Sequence, residues 1–152
     1  MPDELSAIIN SAIAQEELAH EFYLRMAALV TQTETRETFE YLAREEKEHK
    51  AFLESCVTPA GCKLTGLPQH TLLAELLQAP EITRELSPKE ALVIAMKREE
   101  SAHKFYQALA GLQPPGDIRE FLEKMALMEL GHKEKVQHIY DNVAFPEAWY
   151  EG

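Results

Sequence analysis

Cysteine is nearly missing from this chain: its 152 residues contain only Cys56 and Cys62. Two thiols cannot build a disulfide framework, nor can they supply a four-cysteine iron site within one chain. Positive charge is also scarce, with 15 Lys and Arg against 26 Asp and Glu and a formal net charge of −11. Nucleic-acid affinity comes largely from phosphate neutralisation by Lys and Arg, so the balance argues against a polyanionic partner and for partners that are small or themselves basic. No uncharged run approaches the roughly 18 residues of a membrane span. Met1-Pro2-Asp3-Glu4 has none of the basic-then-apolar character of a signal peptide. The expectation is a globular chain of 45% hydrophobic residues forming one domain over residues 1–152, in a reducing cytoplasm, with no nucleic acid and no membrane.

What is abundant is helical periodicity. Four segments carry it, about Glu4–Thr31, Glu34–Ser55, Pro88–Leu112 and Asp117–Asp141. Gln32-Thr33 joins the first pair and Gln113-Pro114-Pro115-Gly116 the second, connections too short for anything but antiparallel neighbours. Ser87-Pro88-Lys89-Glu90 places a capping Ser before a Pro at the first helical position and a Glu at the third. Between the hairpins, about Cys56 to Leu86 is broken by Pro59, Gly61, Gly66, Pro68 and Pro80, with a short leucine-rich stretch, Leu72–Leu77, that suits one or two helical turns. A helix of about 24 residues is roughly 36 Å long. Some 30 residues span that easily, so the second and third long helices can run parallel with a crossover along the bundle. The same length permits exchange of hairpins between two chains.

The two hairpins, about residues 4–55 and 88–141, are repeats of each other. Glu16/Glu99, Glu46/Glu129 and His49/His132 are each 83 residues apart, as are Ala12/Ala95, Ala19/Ala102, His20/His103, Phe22/Phe105, Tyr23/Tyr106, Ala27/Ala110, Ala43/Ala126 and Lys50/Lys133. A duplicated helical hairpin explains the register. At about 100° per residue, Leu5, Ile9, Ala12, Tyr23, Ala27 and Val30 cluster around Glu16, whereas Glu17 lies near the edge of that stripe even though Glu17-x-x-His20 is also a ligand spacing. Phe39, Leu42, Ala43 and Leu53 surround Glu46, with His49 on the same side. By the repeat, Glu99 sits among Leu92, Ala95, Tyr106 and Ala110, and Glu129 with His132 among Leu122, Met125, Ala126 and Val136.

Four carboxylates in one core would cost several kcal/mol each if uncompensated, and their mutual repulsion would raise their pKa values. Protonation, exposure or salt bridges would suit one inward Glu. They do not suit a symmetric set of four with two His, and the nearest cations, Lys50 and Lys133, lie about 40° off the centre of their faces. Two divalent ions balance four carboxylates, with neutral His nitrogens completing the shell. Six protein ligands for two metals leave open positions, the mark of a reactive site, and mixed carboxylate and imidazole ligands suit iron or manganese, with zinc less natural.

A Glu from each of two helices with Glu-x-x-His from the other two is the pattern of the di-metal carboxylate bundles. More narrowly, Glu16-x-x-Ala19-x-x-Phe22-Tyr23 with Leu42-Ala43-x-Glu45-Glu46-x-x-His49, repeated as Glu99-x-x-Ala102-x-x-Phe105-Tyr106 and Ala126-x-x-Glu129-x-x-His132, resembles the rubrerythrin branch of the ferritin-like superfamily over roughly residues 5–140. The resemblance implies an all-α, ferritin-like four-helix bundle of two antiparallel hairpins joined by a long crossover. It also implies a non-haem di-iron site that reduces hydrogen peroxide, with Glu46 and Glu129 bridging and Glu16 and Glu99 terminal. The chain departs from the family's best-known members in having no rubredoxin-like cysteine set, so the electron donor must be external, such as rubredoxin. It departs again at Ala102, where some rubrerythrins carry a further carboxylate, and this moves the site toward a simpler symmetric one.

Around the six metal ligands, Tyr23 and Tyr106 return to the inward face and suit hydrogen bonds to metal-bound carboxylates, with plain core aromatics as the alternative. His20 and His103 suit a supporting or proton-transfer role better than ligation. Cys56 and Cys62 read as linker thiols, with a redox pair as the alternative. Trp149 and Tyr150 suit a covered seam or subunit contact. The expected function is a di-iron oxidoreductase acting on hydrogen peroxide or oxygen, reset by an external electron-transfer protein and assembled as a homodimer. Its rivals are a ferroxidase or iron-handling protein, a manganese-catalase-like enzyme, and a non-catalytic metal-binding protein.

Overall fold

The computed structural model describes residues 3–65, 70–77, 82 and 86–145. Among them are five helices and no strand: α1 (Asp3–Leu29), α2 (Thr33–Val57), α3 (His70–Leu76), α4 (Pro88–Gly111) and α5 (Asp117–Asn142). The chain is all-α, a ferritin-like bundle of four long helices with α3 inside the crossover. The long helices lie within about two residues of the sequence expectation, and the differences have local causes. α1 ends at Leu29, with the Val30 amide still donating to the Met26 carbonyl at 3.2 Å. α2 runs on to Val57 until Thr58, extended at φ −88° and ψ 149° as a residue before proline must be, ends it.

α4 begins as its sequence foretells. The Glu90 amide donates to Ser87 Oγ at 3.0 Å while the Ser87 amide donates to Glu90 Oε1 at 3.3 Å, a reciprocal cap on a Pro-initiated helix. Gly116 precedes α5 with φ 152°, a backbone conformation that side chains with a Cβ rarely adopt.

Two crossed hydrogen bonds fix the helix directions. Tyr23 of α1 reaches Glu99 of α4, and Tyr106 of α4 reaches Glu16 of α1. The order reverses between the helices, so α1 and α4 are antiparallel, and since α1 and α2 form a hairpin, α2 and α4 run parallel. The chain must therefore travel the length of the bundle between them. It does so from one apolar core to another: Leu64 and Leu73 pack with Leu5, Ile9, Leu53, Phe105 and Leu122 at one end, whereas Ile82 and Leu86 pack with Met26, Phe39, Leu92 and Val136 at the other. All four long helices contribute to both cores. Pro80, Trp149 and Tyr150 lie outside the described residues.

The crossover is pinned to the second hairpin by Gln113, a residue whose role the sequence pattern did not reveal. Its buried amide accepts from the Thr65 amide at 2.9 Å and donates to the carbonyls of Thr65 at 2.6 Å and Leu109 at 2.8 Å, while Thr65 Oγ1 donates to the Leu112 carbonyl at 2.8 Å. Gln113→Ala should leave those backbone groups unpaired and cost about 1–3 kcal/mol of stability. Chemical denaturation checks this, and a change below about 0.5 kcal/mol would show that the clamp is idle.

Candidate metal centre

Between the two apolar cores lies a polar layer. Glu16 from α1, Glu46 and His49 from α2, Glu99 from α4, and Glu129 and His132 from α5 are each between 1% and 3% exposed. Each sits in the apolar stripe that the helical period assigns it, and the flanking residues Leu5, Ile9, Phe39, Leu42, Leu92, Tyr106, Leu122 and Val136 are likewise buried. His49 Nδ1 stands 3.0 Å from Glu129 Oε1 and 3.9 Å from both Glu16 Oε2 and Glu46 Oε1. His132 Nδ1 stands 2.8 Å from Glu46 Oε1, 3.3 Å from Glu129 Oε1 and 3.6 Å from Glu99 Oε2. The donor atoms fall into two groups, Glu16, Glu46, His49 and Glu129, and Glu46, Glu99, Glu129 and His132, with the atoms of each group within 4.8 Å of one another. Glu46 and Glu129 belong to both.

The outer atoms of this layer are tied down and the inner ones are not. Tyr106 donates to Glu16 Oε1 at 2.5 Å, and Tyr23 donates to Glu99 Oε1 at 2.7 Å, so each tyrosine of one repeat holds the carboxylate of the other. The second oxygens, Glu16 Oε2 and Glu99 Oε2, are buried without a hydrogen-bond partner, as are Glu46 Oε1, both oxygens of Glu129 and both ring nitrogens of His49 and His132. The close N–O approaches are misaligned for hydrogen bonds. Native interiors leave few buried polar atoms unpaired. Nine such atoms converging from one set of six side chains fit a site built to hold cations.

Lys50 and Lys133 do not compensate these charges. Lys50 donates to Glu17 at 2.6 Å and Lys133 to Glu100, two ion pairs related by the repeat at the margin of the helical faces. Lys50 also draws the Glu17 carboxyl below its ordinary pKa. Glu17 is thus engaged outside the layer. His20 Nδ1 meets the Ala43 carbonyl and His103 Nδ1 the Ala126 carbonyl, both at 2.7 Å, and these carbonyls lie one turn before Glu46 and Glu129. The two histidines therefore brace the turns that carry the shared carboxylates.

Burial pushes the carboxyls of Glu16, Glu46 and Glu129 well above the ordinary range, reinforced by repulsion from Glu46 on Glu16, from Glu129 on Glu46, and from Glu99 on Glu129. Burial also holds Tyr23 and Tyr106 well above the usual phenol value, with the neighbouring carboxylates adding to it. The histidines differ. Burial lowers the His49 pKa, whereas for His132 the contacts with Glu129, Glu46 and Glu99 outweigh burial and raise it. Without a cation these three carboxyls therefore hold their protons to higher pH than exposed carboxyls do.

A cleft between α1 and α4 reaches Glu16, Glu46, Glu99 and Glu129 from outside. Ala19 and Ala102, three residues beyond Glu16 and Glu99, form its small-residue walls, and Leu76 and Leu77 of the crossover border it. The reading of Cys56 and Cys62 as linker thiols is corrected: they are joined in a disulfide at the end of α2. Their pairing depends on a tight turn at Gly61 that spacing alone did not reveal.

Fold and site together define a helical-bundle protein with a buried, paired carboxylate–imidazole layer. The family model described as Rubrerythrin matches residues 4–85 and 90–148. The chain belongs to the rubrerythrin family, within the ferritin-like superfamily. It is also similar to a solved structure described as a hypothetical protein, Pfu-1136390-001, from Pyrococcus furiosus, with 27% identity over 90% of this chain and 88% of that one and a TM-score of 0.69. A search of the curated proteins finds no match. No helix among the described residues is long and apolar enough to cross a membrane.

Proposed function

We propose that the chain is a non-haem di-iron oxidoreductase that reduces hydrogen peroxide, or oxygen, in the cytoplasm and is re-reduced by an external electron-transfer protein such as rubredoxin. The nine unpartnered buried atoms on two overlapping donor groups carry this reading. Glu16 and His49 would serve one ion, Glu99 and His132 the other, and Glu46 and Glu129 both. Two iron ions held there would supply Lewis acidity and, between them, the two electrons that peroxide reduction needs. The same donors would also suit manganese, and zinc, which has no redox chemistry, less well.

The side chains supply positioning, protons and access. Tyr23 and Tyr106 each fix one oxygen of a terminal carboxylate, leaving the other aimed inward, and burial keeps both phenols protonated and able to donate. His20 and His103 hold the turns beneath Glu46 and Glu129. Ala19 and Ala102 leave room for a molecule the size of peroxide to approach. Ala102→Leu is expected to slow oxidation by peroxide several-fold at unchanged metal content, measured by rapid mixing, and an unchanged rate would mean that the oxidant arrives elsewhere. These 152 residues hold no four-cysteine iron set, which supports a donor outside them.

Metal analysis together with stopped-flow mixing of reduced protein tests the proposal. About two ions per chain are expected, with rapid oxidation by stoichiometric peroxide and slow turnover until a donor is added. One tightly held ion per chain would overturn the paired site, and indifference to both oxidants would leave a metal-binding protein. Oxygen release from peroxide without a donor would select catalase chemistry. Ala102, which supplies no further carboxylate, favours a ferroxidase as the second reading, and a decisive preference for oxygen over peroxide would select it. Residues 1–152 are proposed to form one domain and to pair as a homodimer, which the exposed Leu18, Leu24 and Leu127 support. A monomer in sedimentation at micromolar concentration would remove the dimer.

A further inference from the structure

We propose that the Cys56–Cys62 disulfide is a reversible thiol–disulfide exchange site that takes its electrons from a thiol reductant attacking at Cys62. The loop between the two residues is built to present them to each other whether or not they are bonded. Thr58 Oγ1 caps the Ser55 carbonyl at 2.9 Å, and the Gly61 amide donates to the Thr58 carbonyl at 3.2 Å. Gly61 lies so close to the end of α2 that a Cβ there would fall 1.4 Å from the Ser55 carbonyl oxygen, so glycine alone permits the turn. These contacts bring the Cα atoms of Cys56 and Cys62 to 4.5 Å. A covalent ring over a separation of six residues restricts the unfolded chain least among such links, and the loop already has its own hydrogen bonds. Stabilisation alone is a weak reason for the bond.

The two sulfurs are unequal. Cys56 is 3% exposed and packs with Leu53, Leu64 and Leu73, whereas Cys62 sits at the margin of that core, half-buried, beside the exposed Lys63. An external thiolate therefore reaches Cys62 Sγ first. Attack breaks the S–S bond, forms a mixed disulfide on Cys62 and releases Cys56 as a thiolate, which takes up a proton next to Ser55 Oγ, 4.0 Å from its sulfur. A second thiolate attacks the external sulfur of the mixed disulfide, yielding the oxidised reductant and a Cys62 thiolate that is protonated in turn. Two thiols give up two electrons and two protons in all. In the cytoplasmic setting proposed above, disulfides are characteristically transient and catalytic or redox-sensing, which is the behaviour inferred here.

The test reads thiol state, independently of metal content and turnover, so failure of the oxidoreductase reading leaves it intact. Full-length protein is equilibrated with mixtures of reduced and oxidised glutathione, quenched with an alkylating agent and weighed by mass spectrometry, with helical circular dichroism as a folding control. The expected result is full interconversion of disulfide and dithiol across the mixtures, reversible in both directions. A pair that stays oxidised in about 10 mM reduced glutathione, or stays reduced in excess oxidised glutathione, would overturn the proposal. In single variants, Cys62 in Cys56→Ser should form a mixed disulfide with oxidised glutathione ~10-fold or more faster than Cys56 does in Cys62→Ser. The reverse ranking would reject Cys62 as the point of attack. Gly61→Ala, which retains both thiols, should slow closure of the disulfide from the dithiol, and unchanged closure would refute the role given to the turn.

Discussion

Glu46→Gln should lower metal loading from about two ions per chain to one or fewer, and at the same time make the metal-free protein more stable. Both effects follow from the shared position of Glu46, whose carboxylate belongs to both donor groups and stands 2.8 Å from His132 Nδ1 and 3.9 Å from His49 Nδ1. Replacing it with a neutral isostere removes one member of a repelling set whose pKa is raised by burial and by repulsion from Glu129 and Glu99. A higher melting temperature of the metal-free variant at pH 8 is the expected result. Against it stands the loss of metal-linked stabilisation, about 2.7 kcal/mol for a site held at a hundred times its dissociation constant. Thermal melts with and without metal should therefore move in opposite directions for this one substitution. Glu17→Gln provides the contrast, because its partner is Lys50 and it lies outside the layer. Loading lost with Glu17→Gln and kept with Glu46→Gln would mean that the neighbouring helical face binds the metal.

How far the site could be read from sequence follows from what a helix repeats. A period of about 3.6 residues places Glu16, Glu46, Glu99 and Glu129 among apolar neighbours without reference to anything distant, and the 83-residue register says that the two halves present the same face. All six proposed ligands are buried where the period put them. Periodicity does not encode which half a side chain will touch. Tyr23 lies two turns from Glu16 in its own helix, yet it bonds to Glu99, because the antiparallel approach of α1 and α4 sets one tyrosine opposite the other repeat's carboxylate. Nor does periodicity encode that His20, read in sequence as a supporting or proton-transfer residue, meets the Ala43 carbonyl of α2, one turn before Glu46. The clamp of Gln113 on Thr65 joins residues 48 apart, across a loop that no period governs. The disulfide depended on a glycine's close approach to a carbonyl, a feature of three-dimensional shape that two cysteines and a spacing of six cannot convey.

The remaining large effect is a reversal in the sign of the pH dependence when metal is removed. In the metal-free protein Glu16, Glu46 and Glu129 have pKa values well above the ordinary carboxyl value of 4.5, so over the range between the two values the folded state binds more protons than the unfolded chain. Stability then falls as pH rises: the contribution is fully present below the unfolded pKa and is lost as pH climbs through the folded one. His132, also raised, acts in the same direction. His49 opposes it, because its lowered pKa makes the unfolded chain the better proton acceptor below the ordinary value of 6.5. Three carboxyls and His132 outweigh one imidazole, so the melting temperature of metal-free protein should drop by several degrees between pH 5 and pH 8, at about 2–4 °C per kcal/mol for a chain of this size. Metal binding requires the same groups deprotonated and strengthens as they lose protons. The loaded protein should therefore gain stability over the interval in which the metal-free form loses it, and calorimetry at matched pH values reads both slopes. A metal-free slope that is flat or rising would mean that the carboxylates are ionised and compensated within the protein, and that the layer is an ordinary polar core instead of a site awaiting cations.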